Sequence, residues 1–275
     1  MIVETAPAKI NLALHVRARR DDGYHEIETL FAFLRDGDVL RLTPGPASFA
    51  IEGPFGAVLA AEGDNLVTRA AAGFAHAFDV ANEGAFTLDK NLPVASGIGG
   101  GSADAAAALR ALARHHGIAI DDPRLFACAD ALGSDVPACL LGRSALGRGR
   151  GEQLEPLGGL TDMPVLLVNP GVAVSTGAVF AAWDRIDRGA IGDGDLLERA
   201  LLGRNDLEAP ARSIAPVIGE ALALLRDTKG TRLVRMSGSG ATCFALYESE
   251  RDRSTAAKAI RQARPDWWCL ESTLA

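Results

Sequence analysis

A glycine-rich segment is the part of this sequence most suited to chemistry, because it lies between a predicted strand and a predicted alanine-rich helix. Glycines let consecutive backbone N–H groups approach an anion closely, and the N-terminus of a helix adds free donors and a favourable dipole. The segment therefore predicts a loop that binds phosphate. Its residues are Pro93, Val94, Ala95, Ser96, Gly97, Ile98, Gly99, Gly100, Gly101, Ser102 and Ala103.

A linker and two common types of nucleotide-binding loop fit this segment less well. A flexible glycine linker is the plain alternative, but a linker rarely ends at a strong helix start. No Lys-Ser or Lys-Thr pair follows the glycines, so the pattern of a Walker A loop is excluded. The surrounding sequence also lacks the parallel βαβ unit of a dinucleotide site.

Three further groups of residues could take part in chemistry. Lys9 and Asn11 share the polar face of the first predicted strand, where a lysine is usually solvated and an asparagine is often a satisfied amide. Asp135 stands between Gly133-Ser134 and Val-Pro, and taken alone it is more often a cap or turn former. Tyr24 and His25 lie in a predicted turn. Together they suit a flat heteroaromatic base, one ring stacking and the other offering hydrogen bonds.

Composition excludes several functional classes. The formal net charge is −7, so no global positive field exists to hold nucleic acid or an anionic membrane. The four cysteines are far apart and lack the spacing of a zinc site or a disulfide framework, which fits a reducing cytosol. The first residues alternate in polarity and do not resemble a leader, and no segment is long enough to span a membrane. We therefore expect a cytoplasmic protein.

The elements that must position these residues follow from hydrophobic periodicity and turn signals. Strands occur both in hairpin-like runs and in alternation with helices, which predicts an α+β fold with mixed or antiparallel sheets. We predict two domains, 1–155 and 156–275. The predicted strands are Lys9–Arg17, Glu26–Phe33, Asp38–Leu42, Phe49–Glu52, Ala85–Asp89, Val165–Val168, a strand–turn–strand at Leu233–Tyr247, and Trp267–Glu271. The predicted helices run from a cap at Asp64-Asn65 to Phe78, and over Ser102–His116, Pro123–Leu132, Ser175–Ile186, Asp195–Leu202, Pro216–Asp227 and Ser254–Arg264.

Three motifs in order along the chain resemble the signatures of the GHMP kinases, the family of galactokinase, homoserine kinase and mevalonate kinase. They are Pro7–Leu12, the glycine-rich segment, and Met236–Phe244. The resemblance implies an N-terminal domain like ribosomal protein S5 domain 2 and a C-terminal ferredoxin-like α/β sandwich. It also implies ATP as phosphoryl donor and Mg²⁺ as cofactor.

Further motifs are similar to one branch of this family, which phosphorylates the C2 hydroxyl of a methylerythritol carried on cytidine diphosphate in non-mevalonate isoprenoid synthesis. They are Gly23–Glu26, Leu132–Pro137, Asn169–Gly171 and Ser175-Thr176. The branch implies a small-molecule partner with a cytidine diphosphate moiety, no nucleic-acid or membrane partner, and a monomer or weak homodimer. A GHMP kinase for homoserine or mevalonate, or a non-catalytic nucleotide-binding relative, stays an alternative.

The resemblance also implies roles for individual residues. Lys9 and Asp135 match the catalytic lysine and base. Tyr24 and His25 would recognise cytosine, with Phe180 as a second stacking face. Asn11 and Thr176 match positions that would contact the substrate. Asn65 and Lys90 match positions near the adenosine of ATP, with a solvated surface position as the alternative for both.

Some residues depart from the family pattern, and others have no assigned role. Ala103 stands where many relatives have a second serine, and Asp104 where some have asparagine. No carboxylate is assigned to the metal. Arg148 and Arg150 suggest diphosphate binding, but a solvated hairpin tip is the better supported interpretation.

Overall fold

The computed structural model describes residues 1–60 and 65–275 and confirms the α+β prediction. The chain forms two compact units. Unit 1 comprises Met1–Lys9, Asp36–Val94 and Gly99–Gly142, and unit 2 comprises Ile10–Arg35, Ala95–Ile98 and Arg143–Ala275. Because both units contain several chain segments, they do not follow one cut in the sequence. The predicted boundary near residue 155 stays a prediction.

Most predicted elements are observed, but the first strand begins at Ile2 instead of Lys9, and five short elements at 56–60, 136–141, 145–148, 153–156 and 208–214 were not predicted. The strands are β1 (Ile2–Arg19), β2 (His25–Thr43), β3 (Ser48–Glu52), β4 (Ala85–Asp89), β5 (Ala145–Arg148), β6 (Gln153–Pro156), β7 (Pro164–Asn169), β8 (Thr231–Met236), β9 (Cys243–Tyr247) and β10 (Trp268–Thr273). The helices are α1 (Gly56–Ala60), α2 (Leu66–Phe78), α3 (Gly100–His116), α4 (Pro123–Leu132), α5 (Val136–Leu141), α6 (Thr176–Ala181), α7 (Leu196–Leu202), α8 (Glu208–Ile214), α9 (Val217–Arg226) and α10 (Glu250–Ala263).

Both units are built on sheets. In unit 1, residues 39–43 of β2 pair antiparallel with β4, and β4 pairs parallel with β3. In unit 2, residues 29–31 of β2 pair antiparallel with β5, and β5 pairs with β6. A separate antiparallel sheet of unit 2 has the order β10-β7-β9-β8. Strand β1 pairs with β2.

One predicted turn is wrong. The composition around Asp36-Gly37-Asp38 predicts a break between two strands, whereas β2 continues through it. Gly37 packs so closely on β1 that a Cβ atom there would lie 2.0 Å from the carbonyl oxygen of Ala6. The glycine is therefore needed for the close approach of two backbones within unit 1, which is a common reason for glycine inside a strand.

Three helices begin or end away from their predicted positions. Helix α3 begins at Gly100, two residues before Ser102, because Gly99 adopts a left-handed N-cap conformation with φ of 67°. Helix α6 ends at Ala181, before the predicted Ile186. Helix α10 begins at Glu250, ahead of the predicted Ser254.

Among the described residues, side-chain caps account for the starts of five helices, including α2 and α10. At α10, the hydroxyl of Ser249 accepts from Asp252 N and donates to the Asp252 carboxylate. At α2, the side chain of Asn65 accepts from Val67 N. The other residue of that predicted cap, Asp64, lies outside the described residues.

Each unit has its own apolar core. In unit 1, the alanine-rich α3 packs against α2, α4 and α5, and small side chains allow this close helix packing. In unit 2, the core joins α9 and α10 to the inner face of the four-stranded sheet. Among the described residues, no helix combines the length and apolar character needed to cross a membrane.

Unit 1 also buries a cluster of three charged residues, Asp38, Lys90 and Asp104, each at most 2% exposed. The Lys90 ammonium lies 2.6 Å from a carboxylate oxygen of Asp38 and 2.6 Å from one of Asp104. The other oxygen of Asp38 accepts from the backbone N–H groups of Asn91 and Leu92. The second oxygen of Asp104 has no hydrogen-bond partner among the described residues.

The cluster holds one positive charge and two carboxylates, so one carboxylate lacks full compensation. Burial, only partly offset by the Lys90 ammonium, raises the pKa of Asp104 to about 7. Burial also opposes the charged form of Lys90, but the two carboxylates outweigh it and raise the pKa of this lysine. Lys90 therefore remains charged near neutral pH while Asp104 titrates there.

We predict that Gly37→Ala lowers the free energy of unfolding by about 1–3 kcal/mol, because the added methyl group meets backbone. The matched control is Gly73→Ala, since Gly73 lies inside α2 and a Cβ atom there meets nothing within 4 Å. This control should stabilise by about 0.5–1 kcal/mol. Urea denaturation measures both changes. If Gly37→Ala is at least as stable as the wild type, the assigned packing role is wrong.

We predict a second effect on stability, from Asp104→Asn. Because the folded pKa of Asp104 lies above its ordinary value of 3.8, the folded state binds more protons than the unfolded state between about pH 4 and 7. The stabilisation from Asp104 is therefore fully present below about pH 4 and is lost as the pH rises through 7. An asparagine does not titrate, so the variant should gain stability relative to the wild type as the pH rises from 5 to 8.

Urea denaturation at several pH values measures this difference. Asp121→Asn serves as the control, because it removes one carboxylate from an exposed position of the same unit. If the stability difference between Asp104→Asn and the wild type is constant from pH 5 to 8, the assigned titration is wrong.

Candidate active site

The first turn of α3 lies directly against two buried lysines of unit 1. A Cβ atom on Gly99 would lie 2.6 Å from Cγ of Lys9, and one on Gly100 would lie 3.1 Å from Nζ of Lys90. Glycine is therefore required at Gly99, which also has a positive φ, whereas a Cβ atom at Gly100 would need only a small shift of the Lys90 ammonium. The N–H groups at this helix start and the positive end of the α3 dipole suit an anion, whereas both ammonium groups are already paired with carboxylates.

The preceding part of the glycine-rich segment is bound to the third sequence motif within unit 2. Ser237 Oγ donates to the carbonyl of Gly97 at 2.9 Å, and Thr242 N donates to that of Ser96 at 3.1 Å. Gly97 has φ of 78°, and a Cβ atom there would lie 2.6 Å from the carbonyl oxygen of Gly240. Two motifs far apart in sequence thus hold each other's backbones.

Lys9 and Asp135 form an ion pair within unit 1. The Lys9 ammonium lies 2.9 Å from a carboxylate oxygen of Asp135, with side-chain exposures of 4% and 32%. Asp135 occupies the N-cap position of α5, yet its side chain makes no capping hydrogen bond. The carboxylate is therefore free of the role that its local sequence favours, and it faces the lysine and solvent instead.

This pair has the features of an acid–base site. The partly exposed carboxylate can receive a proton from a bound hydroxyl. The ammonium can also stabilise negative charge that develops on a reacting oxygen. The pairing agrees with the roles that the family resemblance implies for both residues.

Asn11 is buried in unit 2 and satisfied through neighbouring strands. Its side-chain nitrogen donates to Thr29 Oγ1 at 2.8 Å, and its backbone N–H donates to Ser237 Oγ at 3.3 Å. Thr29 in turn donates to the carbonyl of Ala13. These contacts fix the orientation of the amide, and contact of Asn11 with a substrate stays a prediction.

An aromatic cluster surrounds His25 in unit 2. Its ring centroid lies 4.8 Å from that of Phe180 and 5.8 Å from that of Trp183, the latter in an edge-on arrangement. The predicted neighbourhood of His25 and Phe180 is thus observed. Trp183 was missed by the sequence analysis, although its spacing of three from Phe180 is a helical signal. Tyr24, the adjacent residue, is about half exposed.

His25 is suited to hydrogen bonding as a neutral ring. Burial and the charge of Arg19 lower the pKa of its imidazole, so the ring is uncharged at pH 7. A neutral imidazole offers one donor and one acceptor. This pattern can distinguish ligands whose edges differ in donors and acceptors.

The other predicted site residues lie in different parts of the two units. Thr176 Oγ1 lies 2.9 Å from Ser239 Oγ of the third motif, in unit 2. In the same unit, the Asn169 side chain donates to Thr242 Oγ1, so the Asn169–Gly171 motif also contacts the third motif. In unit 1, Asn65 caps α2 and Lys90 lies inside the charged cluster. Contact of Asn65 and Lys90 with a nucleotide stays a prediction.

Comparisons with known proteins agree with this arrangement. Residues 65–143 match the family described as GHMP kinases N terminal domain, and residues 186–266 match GHMP kinases C terminal. The 4-diphosphocytidyl-2-C-methyl-D-erythritol kinase of Rhizorhabdus wittichii is 58% identical, over 98% of this chain and 94% of that protein. That of Novosphingobium aromaticivorans is 52% identical, over 98% and 92%.

Solved structures give the same result. A crystal structure of a 4-(cytidine 5'-diphospho)-2C-methyl-D-erythritol kinase superposes with a TM-score of 0.79 at 37% identity, covering 100% of this chain and 99% of that one. Homoserine kinase from Cytophaga hutchinsonii, at 19% identity, a TM-score of 0.69 and coverage of 98% and 95%, shares the fold. The chain therefore belongs to the GHMP kinase family and, within it, to the 4-diphosphocytidyl-2-C-methyl-D-erythritol kinases.

Proposed function

We propose that the chain transfers the γ-phosphoryl group of ATP to the C2 hydroxyl of 4-diphosphocytidyl-2-C-methyl-D-erythritol, giving the 2-phosphate and ADP in non-mevalonate isoprenoid synthesis. The Lys9–Asp135 ion pair is the observation that carries the mechanism, and the names of close full-length relatives support the substrate. Homoserine and mevalonate kinases resemble the chain at 19% and 16% identity, which supports a shared fold alone.

In the proposed reaction, Asp135 accepts the proton of the C2 hydroxyl as its oxygen bonds to the γ-phosphorus. The bond between that phosphorus and the bridging oxygen breaks, and ADP leaves with the electron pair. Lys9 stabilises the charge that develops on the reacting oxygen, and the N–H groups at the start of α3 hold phosphate oxygens. In this reaction the protein mainly positions the two reactants and stabilises the charge that develops between them.

We propose that Mg²⁺ binds together with ATP. The described residues contain no group of three or more His, Cys, Asp or Glu side chains placed to hold a metal. In kinases, one or two carboxylates together with substrate phosphates commonly hold this ion, so a complete protein cage is not needed. When bound, Mg²⁺ neutralises charge on the β- and γ-phosphates.

We also propose that Tyr24, His25 and Phe180 bind the cytosine and that Thr176 and Asn11 contact the substrate. The close approach of His25 to Phe180 supports the first assignment. Composition and the family resemblance support a cytoplasmic monomer or weak homodimer. Asn65 and Lys90 are proposed to lie near the adenosine, Lys90 through its backbone, because its side chain is enclosed by two carboxylates.

We predict that Asp135→Asn lowers turnover by about two to four orders of magnitude, the usual effect of losing a positioned acid–base group. ATP affinity and thermal stability should change little.

Lys9→Met should likewise reduce turnover more than ATP affinity. Steady-state kinetics and calorimetry with ATP measure these effects. Near-normal turnover of Asp135→Asn contradicts its role as base, and loss of ATP affinity alone in Lys9→Met assigns the lysine to the phosphate site.

We predict that CDP stabilises the protein in a thermal-shift assay and that UDP does so less. At a hundredfold excess over its dissociation constant, CDP should add about 2.7 kcal/mol. His25→Ala should weaken the preference for CDP over UDP, because the two bases differ in donor and acceptor pattern. His115→Ala is the control, since this histidine is exposed at the end of α3. A response to mevalonate with none to CDP contradicts the cytidine assignment.

A further inference from the structure

Two arginines of one hairpin tip, Arg148 and Arg150, look alike in sequence but differ in setting. Arg148 pairs with Glu155 at 2.8 Å, and the two side chains are 46% and 54% exposed. The side chain of Arg150 is only 21% exposed, and its guanidinium carbon lies 5.0 Å from the ring centroid of Tyr24. The interpretation as a solvated hairpin tip therefore holds for Arg148. The guanidinium of Arg150, in contrast, covers an aromatic ring.

The backbone of this tip is held in place beside the Tyr24-His25 segment. Ile27 N donates to the carbonyl of Gly149 at 2.8 Å, which ties the tip to β2. Gly149 has φ of 72°, a conformation that favours glycine. Arg150 N donates to the Glu152 carboxylate at 2.6 Å. The guanidinium therefore starts from a fixed backbone position.

The backbone of Tyr24 is also held, while its ring stays accessible. Arg20 N donates to the carbonyl of Tyr24, and Tyr24 N donates to the Asp22 carboxylate. The residue is 52% exposed. A half-exposed ring loses rotational freedom when a ligand stacks on it, so a contact that orients the ring beforehand favours binding.

We propose that Arg150 is a positioning residue that holds the Tyr24 ring for the base of a nucleoside diphosphate. The guanidinium covers one face of the ring through a cation–π contact and leaves a face for the base. This inference rests on the proposed function, because it takes Tyr24 as the stacking residue. Arg148 has no part in it.

The test measures the dissociation constant of CDP by calorimetry. Arg150→Ala should weaken binding about two- to twelvefold, the cost of ordering one free side chain when the ligand binds. Arg150→Lys should retain part of the affinity, because an ammonium also binds an aromatic face. Arg148→Ala is the matched control and should leave the affinity unchanged. ATP affinity should not change in any of these variants.

A double-mutant cycle separates positioning from direct contact with the ligand. If Arg150 acts through Tyr24, Arg150→Ala has no further effect in a Tyr24→Ala background. An equal loss in both backgrounds means that Arg150 binds the ligand by itself and overturns the proposal. So does unchanged affinity in Arg150→Ala, or an equal loss in Arg148→Ala.

A ligand-free measurement keeps the proposal independent of the assigned substrate. In NMR spectra of the wild type, the Tyr24 ring current should shift the Arg150 side-chain protons upfield, and Tyr24→Leu should remove this shift. Its absence in the wild type overturns the proposal. Failure of the folded wild type to bind CDP contradicts the proposed function instead, and the NMR result still decides whether Arg150 holds the ring.

Discussion

The burial of two lysine ammonium groups against the first turn of α3 is the constraint on which the arrangement of unit 1 depends. A buried charge needs close partners, and both lysines have carboxylates within hydrogen-bond distance. The turn itself must be glycine, because any side chain at Gly99 would occupy the space of the Lys9 chain. The strand, the helix start and the three acidic partners are therefore mutually dependent.

The two ion-pair groups serve different ends because their exposure differs. Lys90 and both of its carboxylates are enclosed, so this cluster mainly fixes backbone, including the N–H groups of Asn91 and Leu92. Asp135 is exposed to about a third and retains access to solvent and ligand.

Local sequence patterns predicted many of the helices and strands. Features that depend on contacts between residues far apart in sequence could not be predicted in this way. Alternating polarity located β1, and the alanine-rich run located α3, because both signals depend on neighbours in sequence. The residues around Gly37 predict a turn, because the contact with Ala6 that requires this glycine is not visible in the neighbouring sequence. The pairing of Lys9 with Asp135 has no local signal, and the family resemblance alone brought the two residues together.

The edge-on contact of Trp183 with His25 gives the protein an intrinsic optical reporter. The Trp183 indole is buried, and its N–H has no hydrogen-bond partner among the described residues, so its emission lies toward short wavelengths. An imidazole next to an indole quenches fluorescence more strongly when it is protonated. If the proposed ligand occupies the space around His25, we expect the emission of Trp183 to change, and stopped-flow fluorescence of unlabelled protein would follow that change.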